Sequence, residues 1–405
     1  MPYLASRVPQ NWDVIHVDEE AEDLDCDVDA DVVGLTFHTP SAPHAYDIAT
    51  RFRSRRVCVV MGGPHVTLVP EEATRYADVI FIGEAEGLWE DFLRSFETGS
   101  YPRVYQQTSV PSIENIPMAR KELFHRHDHT NGVMFASRGC PNQCDFCTVA
   151  VMYRHKLRKR PVAEVAAEYA SFKGNVIIFW DDNIAGDLEY AKSLFRAIAP
   201  YRKWWSSQAS IQAGRDDEFL AAAAHSGCKQ FFLGLESISQ QSMAEVNKGF
   251  NRVDKYLEVI ERIHSHGIAV QAGIVFGFDH DTPEIFNDTI DLLEEAGVQN
   301  ATFNILTPFP GTPLFRKMEA EGRILTRDWR NYNSRDDVVY QPKRMSVREL
   351  LAGYRYANER FYSLRSMAKR LSRSPVQLWW TLPLNLTYGY RWRTRTGAEE
   401  QHRVE

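Results

Sequence analysis

The sequence has little of several things that would narrow its class at once. Six cysteines in 405 residues are too few and too scattered for a disulfide framework. No run of about 18 apolar residues occurs, so no membrane-crossing helix is expected. Met1 to Val8 lacks a basic stretch ahead of an apolar core, so no secretory signal is expected. There is no short-period repeat and no low-complexity tract. Positive charge is not in excess: 47 Lys and Arg face 54 Asp and Glu, a net charge of −7. That balance argues against a nucleic-acid binder held by phosphate contacts. What remains is ordinary for a soluble globular protein, with 44% apolar and 25% charged residues in a length that allows two or three domains. Free thiols suit a reducing compartment, so a cytoplasmic location is expected.

The chain is organised around Ser137-Arg138-Gly139-Cys140-Pro141-Asn142-Gln143-Cys144-Asp145-Phe146-Cys147, which follows the apolar run Gly132 to Ala136. Three closely spaced thiolates are soft ligands that suit zinc or an iron–sulfur cluster. Zinc normally takes a fourth nitrogen or sulfur ligand. No Cys or His at finger-like spacing follows, and His125, His127 and His129 lie before the strand. A cubane on three thiolates leaves one iron open. Cys26, Cys58 and Cys228 stand apart and are expected to be buried, reduced and inert.

This loop, with Phe146 directly before its last cysteine, resembles the signature of the radical S-adenosylmethionine (SAM) superfamily. The resemblance implies a [4Fe-4S] cluster on Cys140, Cys144 and Cys147 whose open iron is chelated by SAM. It implies that the reduced cluster gives one electron to SAM, and that the resulting 5′-deoxyadenosyl radical abstracts hydrogen from an unactivated carbon.

Upstream, at residues 1–110, short β-rich runs alternate with helical stretches. Trp12 to Val17, Asp31 to Phe37, Val57 to Met61 and Val79 to Ile82 read as strands, most of them apolar on both faces as in a buried parallel sheet. Ala45 to Phe52 has helical spacing, and Pro70-Glu71-Glu72-Ala73 starts another helix. This is an open, Rossmann-like α/β layout whose ligands bind beyond the carboxyl ends of the strands. Gly62, Gly63 and His65 follow one strand, and Gly83 and Glu84 the next. Glycines there let a flat, bulky ligand approach the backbone. These runs resemble the cobalamin-binding domain joined to one large class of radical SAM proteins. The resemblance marks Gly62, Gly63, His65, Gly83 and Glu84 as cobalamin contacts. Two departures stand out: the domain's usual first strand is missing, and there is no Asp-x-His-x-x-Gly cobalt-ligand motif. The plain alternative makes Gly62-Gly63 a tight turn and His65 a solvated loop residue. Residues 111–130, with Pro111 and Pro117, read as a largely polar linker.

Residues 131–312 carry six apolar runs separated by helical stretches. The first enters the cysteine loop. The others end at Asp181-Asp182-Asn183, near Gln208, at Glu236, between Gly273 and Gly277, and near Asn304. Regular β–α alternation means right-handed crossovers and a partial TIM-like (βα)6 barrel, with chemistry at the carboxyl ends of the strands. Expected helix starts are Asp187 and Thr282, the latter before Pro283. Expected stops are Gly267 and Gly297. The resemblance implies that Asp181, Asp182 or Asn183 receives the amino group of SAM. It implies that Gln208 and Glu236 meet its carboxylate and ribose, that Gly273 to Gly277 lie against adenine, and that Asn304 is a further contact. Taken singly, each polar residue also reads as a cap or loop hydrogen bond. Glu236 faces like-charge repulsion from the SAM carboxylate. Arg138 reads equally as a charge beside the thiolates or a surface residue. The basic run Arg154 to Arg160 reads as a solvated helix start or as a docking face for an acidic electron donor such as flavodoxin or ferredoxin.

Residues 313–405 read as a helical region. A capping box spans Ser346 to Glu349 and opens a long helix through Tyr354, Phe361 and Leu364. This tail also resembles cobalamin-type radical SAM proteins and is expected to cover the open side of the barrel and shape the substrate pocket. Leu378 to Leu384, rich in Trp and Leu between arginines, reads as packed core, or as a peripheral contact with a membrane surface or lipid substrate. The fold expected is thus α/β: a Rossmann-like sheet, a (βα)6 barrel and a helical tail. The activity implied is cobalamin-dependent C-methylation of a small-molecule or lipid metabolite. The alternatives are a radical SAM rearrangement, cyclisation or oxidation without corrin, and a non-catalytic iron–sulfur or zinc protein.

Overall fold

The computed structural model describes residues 1–120, 123, 131–372, 374, 376 and 378–402. The expected linker at 111–130 is therefore described only at 111–120 and 123, and the three histidines 125, 127 and 129 lie outside the described residues.

A first parallel sheet contains β1 (Val32–Thr36), β2 (Cys58–Gly62), β3 (Val79–Ile82) and β4 (Val104–Gln106), in that order. Val59, Val60, Met61, Val79 and Ile80 are buried, as strands covered by helices on both faces must be. Helices Ala42–Ser54 and Leu88–Glu97 supply that cover. Trp12 to Val17 is not a strand. Among the described residues, β1 pairs with β2 alone. A cavity of about 1280 Å³, lined by Trp12, Ile15 and Val17 as well as Val32, Val33 and Leu35, takes the place of a neighbour. A segment with no strand beside it has nothing to satisfy a ladder of N–H and C=O groups, whatever its side-chain pattern.

Six parallel strands form the second sheet, in the order β12-β11-β10-β9-β8-β5. They are β5 (Asn131–Met134), β8 (Val176–Phe179), β9 (Trp204–Ala209), β10 (Cys228–Glu236), β11 (Ala269–Phe276) and β12 (Asn300–Ile305). The two-residue strands β6 (Ser137–Arg138) and β7 (Arg158–Lys159) pair antiparallel beside the cysteine loop. Every neighbouring pair of the six is parallel, the arrangement of a partial TIM-like barrel. Helices Val162–Ser171, Leu188–Ile198, Asp217–His225, Tyr256–Ser265 and Ile285–Glu295 follow successive strands. Asp187 and Asp216 cap two of them, each side chain accepting a backbone N–H. Gly267 and Gly297 end two others with positive φ. The helix expected from Thr282 starts at Ile285 instead. The Asp281 carboxylate accepts the N–H groups of Gly277 and Phe278, and that turn delays the first helical residue.

In the tail, Thr312 caps helix Pro313–Ala320, and Ser346 with Glu349 forms the capping box of Val347–Phe361. The long helix expected through Leu364 is two helices. Ser363 accepts the Ser366 N–H and caps a new one, Leu364–Leu371. The tail does not sit wholly over the barrel's open side. The Ser334 carbonyl accepts the Ile305 N–H beside β12. The last helix, Leu378–His402, instead meets the amino ends of the strands. Asn385 donates to the Gln299 carbonyl and Asn300, and the Trp380 indole to Gln230. That end is opposite the cysteine loop, so this helix is no wall of a pocket at the carboxyl ends.

Candidate functional site

The cysteine loop is held by three consecutive residues at the end of β8. Asp181 is fully buried, and its carboxylate accepts the N–H of Ala136 at 2.9 Å and both N–H and Oγ–H of Ser137 at 2.6 Å. Burial pushes this carboxyl up to about 6, against those hydrogen bonds, which lower it. Asp182 accepts the Gly139 N–H at 2.7 Å. Asn183 donates to the Cys140 thiol at 3.6 Å and accepts the Ser210 N–H. Of the three, Asn183 alone touches a cysteine. The Asp181 carboxylate is committed to the loop backbone and the Ser137 hydroxyl rather than open to a ligand. Gly139 has φ +87°, and a Cβ there would run into the Lys156 carbonyl oxygen, so the turn requires glycine. On the far side, Asp145 donates its N–H to Val246, accepts that of Leu314, and takes a bond from the Asn247 amide.

Cys144 is buried, while Cys140 and Cys147 are partly exposed. Burial pushes the Cys144 thiol up to about 12, a rise that the Lys248 charge only partly opposes. Burial raises Cys147 as well. Such thiols stay protonated until a metal takes the place of the proton. Among the described residues, no three His, Cys, Asp or Glu side chains converge on a single ion. Three soft thiol ligands on one short loop suit an iron–sulfur cluster. Of the other cysteines, Cys228 is buried, but Cys26 and Cys58 are partly exposed, contrary to the sequence expectation.

Lys248 gave no sequence signal, because nothing in its spacing ties it to the cysteines. Its ammonium bonds Glu236 at 2.6 Å and lies 5.7 Å from the centre of the Phe146 ring. Glu236 has φ +64° at the end of β10, where the register with β11 shifts. The lysine neutralises the carboxylate and so removes the repulsion that Glu236 alone would impose. Gln208 and Asn304 are partly exposed near the carboxyl ends of β9 and β12, and neither side chain has a hydrogen-bond partner among the described residues. Gly273 has the Phe232 ring where its Cβ would be, and Gly277, at φ +103°, accepts the Tyr340 hydroxyl.

The two sheets meet at this end. Arg138 pairs with Glu84 at 2.7 Å and with Glu86, and its guanidinium lies 4.4 Å from the centre of the Phe135 ring. Arg158 takes the second Glu84 oxygen at 2.7 Å. Glu84 is thus tied to the barrel, and Arg138 is not free on the surface. The basic run is used partly in the same way. Arg154 bonds the carbonyls of Gln107 and Thr108, Lys159 bonds Asp187, and Arg160 is buried on Glu168. The run is divided: Arg158 and Arg160 are drawn in onto carboxylates, whereas Arg154, His155, Lys156 and Lys159 are exposed.

Three sequence families match the chain: the B12 binding domain over residues 3–93, the radical SAM superfamily over 134–311, and a domain of unknown function over 312–379. This is a radical SAM enzyme with an N-terminal B12-binding domain. The chain is 28% identical to bacteriochlorophyllide d C-12(1)-methyltransferase of Chlorobaculum tepidum over 93% of its length and 85% of that protein. It is 25% identical to hopanoid C-2 methylase of Rhodopseudomonas palustris, covering 92% of this chain and 76% of that one. In fold it is similar to the radical SAM methyltransferase TsrM of Kitasatospora setae, solved with cobalamin and a [4Fe-4S] cluster, at TM-score 0.62 and 17% identity. It is also similar to the cobalamin-dependent radical enzyme OxsB, at TM-score 0.63 and 12% identity. The matches cover 73% and 89% of this chain but only 65% and 63% of those two, so it spans about two thirds of their length.

The radical SAM family's cofactors are a [4Fe-4S] cluster and SAM, and Cys140, Cys144 and Cys147 are the thiols that could hold the cluster. On the B12-binding side, Gly63 (φ +93°) and Gly83 (φ +89°) turn the backbone at the ends of β2 and β3. A side chain on Gly63 would strike Thr36 and the Phe37 backbone, and one on Gly83 would meet Gln107, so both glycines let the strand ends pack closely within the domain. His65 does not fit a cobalt ligand. It is fully buried rather than solvated, packed between Phe37, Tyr46 and Trp329, with Nε2 3.9 Å from Glu72. Burial also lowers its basicity.

Proposed function

We propose that this enzyme is a cobalamin-dependent C-methyltransferase acting on a small-molecule or lipid metabolite. The observation that carries the reading is the ion-paired junction of Arg138 and Arg158 with Glu84 and Glu86, which brings the carboxyl ends of the two sheets together. The end of β3, which carries Glu84, and the start of the cysteine loop are thereby held side by side. The two relatives, a methyltransferase and a methylase each acting at a numbered carbon, support the same reading.

In this reading Cys140, Cys144 and Cys147 hold the cluster, with Asn183 donating to one sulfur and Asp181 and Asp182 fixing the loop. When bound, the cluster and SAM supply a 5′-deoxyadenosyl radical, and cobalamin supplies the methyl group. Lys248, paired with Glu236, places a cation within reach of a carboxylate, and Gln208 and Asn304 offer unpaired amides at the rim. Gly62, Gly63 and Gly83 mark the strand ends where the corrin would lie, and His65 stays in the core. The electron comes from a small acidic carrier of the flavodoxin or ferredoxin type.

The test is direct. The full chain is incubated with hydroxocobalamin, desalted and scanned. Retention of the corrin spectrum is expected. A protein that cleaves SAM yet retains no corrin would overturn methyl transfer and leave rearrangement, cyclisation or oxidation.

A further inference from the structure

The last helix has two unlike faces. Thr381 and Asn385 are fully buried against the amino ends of the barrel strands. Next to them runs an open apolar stripe at helical spacing: Leu378, Trp379, Leu382, Leu386 and Tyr390 are 51, 48, 40, 50 and 69% exposed. The stripe continues onto the barrel, where the Trp204 ring, at the start of β9, packs 4.7 Å from that of Trp379. Basic residues lie beside it. Lys229 lies over Trp204 at 5.7 Å, and Arg202 and Lys173 are exposed at neighbouring strand starts. From Leu378 to Ala398 the sequence has no acidic residue and includes Arg391, Arg393 and Arg395. The basic surroundings contrast with a chain whose net charge is −7.

We propose that this end of the barrel is a docking surface for an anionic lipid bilayer, entered by Trp379, Leu382, Leu386 and Tyr390 and held by the surrounding lysines and arginines. Leu and Trp beside Lys and Arg is the composition of an element that lies in a bilayer interface. Among the described residues no helix is long and apolar enough to cross a membrane, so the contact is peripheral. A second copy of the chain is the weaker occupant, because apposing this basic surround on itself would set like charges face to face. The stripe is at the end opposite the cysteine loop, so attachment leaves the reacting end open to water-borne SAM and reductant.

The test is sedimentation of the full chain with vesicles of phosphatidylcholine alone or mixed with phosphatidylglycerol. Binding to the mixed vesicles is expected, weakened by salt, with a blue shift in tryptophan emission. Trp379→Ser with Leu382→Ser and Leu386→Ser changes only exposed positions and should lower binding by about tenfold or more at unchanged circular dichroism. Arg202→Glu with Lys229→Glu should lower binding to the anionic vesicles specifically. Failure to bind either vesicle would overturn the proposal. So would light scattering that shows a dimer which the triple variant splits, since a second copy would then cover the stripe.

Discussion

Asp181, Gly139 and Lys248 show how much single positions carry at the cysteine loop. Asp181→Ala would leave two backbone N–H groups and a hydroxyl buried without an acceptor. The expected cost is about 3 kcal/mol or more, seen as a lower denaturation midpoint and poor iron loading. Gly139→Ala forces a side chain into the Lys156 carbonyl at positive φ. About 1–3 kcal/mol of strain and reduced iron content per chain are expected. Lys248→Gln removes a positive charge beside Cys144 and Cys147, which favours the more oxidised cluster. A lower midpoint potential in an anaerobic redox titration is expected, and an unchanged potential would remove Lys248 from the cluster's surroundings. Of these residues the cysteines were legible, because ligand spacing on one loop is local. Lys248 was not, because only folding brings it to them. Asp181 to Asn183 were legible by place and not by role, since a carboxylate that braces a backbone and one that meets a ligand look alike in sequence.

At the scale of elements, helix signals were read well where the cap is local and poorly where a neighbour intervenes. Asp187 and Ser346 cap as their sequences suggest, whereas the turn at Asp281 displaces the start expected at Thr282. Trp12 to Val17 has a strand's pattern but no partner, and pairing is not a property of the segment itself. Part of the basic run after the cysteines is tied down for a related reason: Arg158, Lys159 and Arg160 find Glu84, Asp187 and Glu168 on three other elements. The junction between sheets gives the prediction that belongs to this scale. Arg138→Ala leaves Glu84 with Arg158 alone and Glu86 without this guanidinium in a half-buried site. A loss of about 3 kcal/mol is expected, and proteolysis should then release the B12-binding domain from an intact barrel. Simultaneous loss of both would contradict the junction's role.

For the whole molecule, the fold class was readable because β–α alternation leaves few topologies. The position of the tail was not, since a helix signal does not say which end of a barrel the helix meets. Asp279, after β11, binds the tail to the barrel through Arg323 and Lys343. Burial alone would raise this carboxyl, but the hydrogen bonds and charges of those two cations outweigh it and hold it well below the ordinary range. Its folded affinity for protons is lower than its unfolded one, so its contribution is complete above about pH 4 and fades as the pH falls further. Melting temperatures of wild type and Asp279→Asn should therefore differ at pH 7 and converge toward pH 2. A constant difference would contradict the assignment.

The account's central claim is that three thiolates leave one iron of the cluster free for SAM. Electron paramagnetic resonance of the reduced, reconstituted full chain, recorded with and without SAM, tests it most directly. The account predicts that SAM changes the cluster signal, and that the signal is lost when Cys140, Cys144 and Cys147 are all replaced by Ala. A cluster signal that is the same with and without SAM would contradict it.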